Sequence, residues 1–141
     1  MENIIVLLNV YNKGDINIML IIGDKLIPSE IFCKIGSIQD IENTKPNSIL
    51  VFKFDKNILA YCLNNHILTA PIIDNITQSV IANAMNAKYQ ICNKSISRQL
   101  QNLAENYIYD SKILAIISDE KEIEELAMQG IDGVIYNSYI L

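Results

Sequence analysis

From residue 48 onward, short runs rich in Ile and Val alternate with stretches of helical period, and the runs recur about every twenty residues. That alternation constrains the chain more than any other feature. A strand, a helix and another strand in succession specify βα units and a parallel sheet. The strand segments are "SILVFKF", "HILTAPI" up to Pro71, "KYQIC", "KILAIIS" and "VIY". Between them, "DKNILAYCLNN" places Ile58, Leu59, Cys62 and Leu63 on one helical stripe. Asn75 and Gln78 have capping-box spacing ahead of a helix whose Ile76, Val80, Ile81, Ala84 and Met85 form one face. Ser95 is the expected cap of a third helix burying Ile96, Leu100, Leu103, Ala104, Tyr107 and Ile108, and Asp119 with Glu122 forms a second capping box. In "QGIDGVIYNS", Gly130 stops the last helix and Asp132-Gly133 turns the chain into the final strand.

Residues 1–47 follow another pattern. "NIIVLLNV" and "INIMLII" flank "YNKGD", which reads as a β-hairpin. Gly23, Pro28, Gly36 and Pro46 then break the chain into loops and one short helix near Ile38 to Asn43. The whole reads as one α/β domain over 1–141, with an N-terminal hairpin and loop extension (1–47) ahead of the βα units (48–141). "INIMLII" is almost continuously apolar and needs cover on both faces. Ile16, Ile18, Leu20 and Ile22 are therefore either a self-association surface or a strand buried within the domain.

Net charge −5 with a single Arg and ten scattered Lys argues against nucleic acid and against an anionic membrane surface. The longest apolar run is far below the ~20 residues that span a bilayer, and "MENIIVLLNV" has an acid where an export signal needs positive charge. Cys33, Cys62 and Cys92 have neither metal-site spacing nor a disulfide framework, so they read as buried thiols in a reducing, cytoplasmic setting.

The stretch "KILAIISDEKEIEELAMQGIDGVIYNS" resembles the second half of a response-regulator receiver domain, and by order of elements the likeness extends back to about Ser48. It implies a flavodoxin-like sheet of four or five strands; a half TIM barrel is the alternative. A receiver has a lysine where this chain has Asn137, an aspartate where it has Cys92, Asn93 and Lys94, and an acidic pair where it has Lys53, Phe54 and Asp55. Only Ser118 matches the receiver's hydroxyl position. The resemblance implies a small regulatory or protein-interaction module of bacterial type, a pseudo-receiver without phosphotransfer.

No P-loop, G-x-G-x-x-G, H-E-x-x-H or nucleophile elbow occurs, so the sequence names no catalytic residue, metal or cofactor. His66, the single histidine, lies on the side away from the expected ligand rim and reads as a structural or surface residue. In α/β sheets ligands bind beyond the carboxyl ends of the strands. A small-molecule or phosphometabolite site would there draw on Lys53, Asp55, Asn93, Lys94, Ser95, Ser118 and Asn137. Helix capping explains several of the same residues. The leading expectation is a non-catalytic, self-associating or partner-binding protein; the alternative is a metabolite binder or enzyme using that rim.

Overall fold

The computed structural model describes residues 18–140. Among these residues seven strands, all parallel, form one sheet: β1 (Leu20–Ile22), β2 (Phe32–Lys34), β3 (Ile49–Lys53), β4 (Thr69–Ile73), β5 (Tyr89–Asn93), β6 (Lys112–Ile117) and β7 (Gly133–Tyr136). Helices α1 (Lys56–Asn64), α2 (Ile76–Ala84), α3 (Lys94–Asn106) and α4 (Ile123–Met128) connect β3 through β7. The strand order is β1-β7-β6-β5-β4-β3-β2. From β2 to β7 the neighbours follow chain order, without the reversal that a flavodoxin-like sheet requires. The expected sheet of four or five strands is thus corrected to seven, and the half-barrel alternative describes the architecture.

The curl is visible in the side chains. β2 and β5 are three strand spacings apart, roughly 14 Å in a flat sheet, yet the rings of Phe32 and Tyr89 lie 5.3 Å apart. The sheet therefore has two differently packed faces. On the convex face Leu50, Phe52, Ile73, Cys92, Ile113, Ala115 and Val134 meet helix residues such as Ile58, Leu59, Cys62, Leu100 and Leu126. On the concave face Ile22, Phe32, Ile49, Val51, Ala70, Tyr89, Ile91, Leu114 and Ile135 pack against one another. Two-sided burial explains why these strands read as continuous apolar runs rather than alternating ones.

The same burial accounts for "INIMLII". Leu20 and Ile22 belong to the concave layer and Met19 and Ile21 to the convex one, with β1 laddered to β7. Ile22 is 2% exposed, which gives it to the interior of the domain, and Ile18 is exposed. Ile16 and the first strand of the expected hairpin lie outside the described residues. The loop expected after Gly23 contains β2, whose three residues carry too little pattern to be read, while the short helix at Ile38–Asn43 is present as a 3-10 turn.

All four helices end alike. His66, Asn86, Ile108 and Gly130 each take a left-handed φ one residue past the cap. The next amide, of Ile67, Ala87, Tyr109 or Ile131, donates back to the carbonyl of Cys62, Ala82, Ala104 or Leu126. This is the Schellman stop, and it recurs without sequence repetition because it needs only a tolerated αL residue and a small or apolar residue after it. His66 therefore has a backbone role. At Ile108 the conformation works against the side chain, since φ of 50° is strained for a β-branched residue. Ile108→Gly is expected to raise stability by about 1.5 kcal/mol and the melting temperature by about 5 °C, read by thermal unfolding; an unchanged melting temperature would show that the strain is absent.

Three helix faces differ from the sequence reading. Ile76 and Val80 of α2 are exposed, and Ser79 and Ala82 are buried instead, because Gln90 of β5 presents a polar partner to that helix. Tyr107 and Ile108 are 72% and 86% exposed, because α3 has already stopped at Asn106. On α1, Ile58, Leu59 and Cys62 are buried as expected, but Leu63 is 38% exposed. Pro71 sits inside β4, and its missing N–H accompanies a β4–β5 ladder confined to Ile72 and Ile73.

Candidate functional site at the C-terminal mouth

Side chains alternate faces along a strand, so the concave register ends at Lys34 after Phe32, at Lys53 after Val51 and at Asn93 after Ile91. Asp24, Asp74, Ser118 and Asn137 follow within two residues of the ends of β1, β4, β6 and β7. Seven polar residues thus lie at the carboxyl ends of the strands, above an apolar plug.

The sequence-predicted residues divide by what already holds them. Asp55 caps α1, accepting from the amides of Asn57 (2.8 Å) and Ile58 (3.1 Å). Asn93 caps α3 by accepting from the Ser95 amide at 2.9 Å, which makes Asn93, not Ser95, the cap. Lys94 pairs with Glu122, and Glu122 also accepts from the amides of Ser118 (2.6 Å) and Asp119 (2.9 Å). The Lys94 contact and the two amides hold the Glu122 carboxyl at about 2, and the carboxylate in turn raises the Lys94 ammonium. This clamp joins the β5–α3 and β6–α4 loops. Asp55, Asn93 and Lys94 therefore serve the scaffold of the rim, and Ser95 takes part through its backbone amide.

Lys53, the Ser118 hydroxyl and the Asn137 side chain make no hydrogen bond or ion pair among the described residues, and neither do Lys34 and the Asp74 carboxylate. Lys34 escaped sequence reasoning because its strand did, and Asp24 because only the β1–β7 pairing brings it to this rim. The two lysines are diagonal neighbours across the β2–β3 ladder, where Lys34 pairs with Val51 and Lys53 lies two residues on. At β7 the character is opposite: burial first, then Asp24, Glu120 and Asp119, push the Tyr136 hydroxyl up. The mouth is cationic at β2–β3 and acidic at β1–β7. Just outside it, a cleft of about 370 Å³ lies between the start of α2 and α3, lined by Asp74, Asn75, Thr77, Ile96 and Gln99 among others.

The chain matches no protein-family model and no curated protein.

Chemistry elsewhere is bound up in structure. Burial pushes the Cys92 thiol up to about 12 and raises Cys62 as well, so neither is a ready thiolate. At the amino end of the strands Tyr89 donates its hydroxyl to Glu30, whose other oxygen pairs with Lys88 at 2.7 Å. Burial, and then the Glu30 contact, raise the Tyr89 hydroxyl, which keeps it protonated and donating. This cluster pins the segment before β2 across the floor of the curled sheet. Among the described residues no group of His, Cys, Asp and Glu is placed to hold a metal ion, and no helix is long and apolar enough to cross a membrane.

Proposed function

We propose that the chain is a binding module whose C-terminal mouth takes a small molecule bearing an anionic group, held by Lys34 and Lys53 and oriented by Ser118 and Asn137. The observation that carries this reading is the pair of neighbouring lysines, in concave register, with no carboxylate partner among the described residues. Diagonal positions on one strand pair put two positive charges within reach of a single anion, which gains attraction from both. The helix N-termini around the mouth are already capped by Asp55, Asn75, Asn93 and Asp119. Lysine side chains are then the better anion donors than backbone amides.

The test is a melting screen of carboxylate and phosphorylated metabolites. A ligand at a hundred times its Kd adds about 2.7 kcal/mol, or about 9 °C for a domain of this size. The shift should vanish in the Lys34→Ala/Lys53→Ala double variant. A shift that survives the double substitution, or no shift across the panel, overturns the reading.

A second reading, a protein-interaction surface, is supported by Tyr107, Ile108 and Met128. These lie 72%, 86% and 84% exposed at the ends of α3 and α4, away from the mouth. The pseudo-receiver form of that reading loses its support with the strand order, and the self-association form loses Ile22 to the interior.

A further inference from the structure

β1 and β2 are the two edges of the curled sheet, and among the described residues no backbone ladder joins them. The Tyr139 side chain bridges the seam. Ile49 donates to the Ile31 carbonyl and Ile35 to the Val51 carbonyl, so the intervening Phe32 amide points away from β3 toward the open edge. It donates to the Tyr139 hydroxyl at 3.2 Å. The Tyr139 ring meets Phe32 edge to face, with centroids 6.2 Å apart and planes at 70°. Its Cβ lies against Gly23 at the end of β1, where an added Cβ would come within 2.7 Å of it. Gly23 also has a φ of 98°, so both its conformation and its contact favour glycine. Ile140, next in the chain, is 6% exposed in the concave core.

We propose that Tyr139 is a latch, and that the β1–β2 seam is the place where this fold opens. Among the described residues every neighbouring pair of strands is held by a ladder of backbone hydrogen bonds, whereas the β1–β2 seam is bridged by a hydroxyl, a ring contact and one anchored isoleucine. Local opening follows the weakest set of contacts. Release of Tyr139 frees the β2 edge and uncovers Phe32 and Tyr89 on the concave face. Tyr139 closes the 3-10 turn that begins at Asn137, so the latch also sets where that mouth residue sits. The proposal does not depend on a ligand at the mouth.

Native-state hydrogen exchange tests it. Tyr139→Phe keeps the ring and removes the hydroxyl, and should speed exchange of the Phe32 amide on the order of tenfold with β4 to β6 unchanged. Tyr139→Ala should speed exchange across Leu20–Ile22 and Phe32–Lys34 together, on the order of a hundredfold, again sparing Tyr89–Asn93 and Lys112–Ile117. Unchanged Phe32 exchange in Tyr139→Phe overturns the latch, as does a uniform rise over all strands in Tyr139→Ala. If the alanine variant does not fold, the phenylalanine variant decides alone.

Discussion

Gly133→Val lowers the stability of the domain by about 3 kcal/mol and the melting temperature by about 10 °C. Gly133 opens β7 between Leu20 of β1 and Leu114 of β6, with which it is in register. An added Cβ would stand 2.7 Å from both the Cβ and the carbonyl oxygen of Leu20, and 2.8 Å from Leu114 Cδ2. Two large side chains lean over the glycine from either side, and one of the obstacles is backbone, so no rotamer change clears the space. The strand that gives way is β1, which among the described residues pairs with β7 alone. Gly130→Ala in the same string is the control: nothing lies within 4 Å of an added Cβ, and only the left-handed φ of 74° opposes it, at about 1 kcal/mol. Thermal unfolding of the two variants checks the contrast, and equal losses would refute it.

Gln90→Ala is expected to cost about as much, roughly 3 kcal/mol, for a different reason. Gln90 is fully buried in the middle of β5, facing α2. Its Oε1 accepts from the Ser79 hydroxyl at 2.6 Å and its Nε2 donates to the Ser79 carbonyl at 3.0 Å. The Ser79 hydroxyl also lies 3.3 Å from that of Tyr109. Truncation leaves a cavity and deprives Ser79 of its principal partner. Because the two residues act as a unit, Ser79→Ala added to Gln90→Ala should cost less than it does alone, by about 1 kcal/mol in a double-mutant cycle measured by denaturant unfolding. Strict additivity would show that they do not form one network.

The two glycines of "QGIDGVIYNS" look alike in sequence and differ in cause. Gly130 is legible, since a helix stop is a local matter of one dihedral angle. Gly133 reads as a turn residue, but its necessity comes from leucines 113 and 19 positions away that only strand order brings together. The candidate site follows the same division. Lys53, Ser118 and Asn137 follow strands that announce themselves by composition. Lys34 belongs to a three-residue strand whose existence depends on pairing with β3. Gln90 and Ser79 fall on positions that periodicity assigns to apolar residues or leaves unassigned, because a satisfied polar pair can replace an apolar contact.

What the amino-acid sequence determined by itself was the repeated strand-helix unit, the direction of the strands from β3 onward, the existence of a polar carboxyl rim and several caps. These rest on interactions within about five residues, or on periodicities that any window of the chain displays. The tertiary structure alone decided that the described residues form a seven-stranded sheet, that it curls instead of reversing, and that β1 and β2 are its two edges among those residues. It also decided that a tyrosine spans the seam between them. Those outcomes depend on which strands pair across the whole chain, and pairing is settled by the summed fit of two buried faces, a quantity no single stretch of sequence carries.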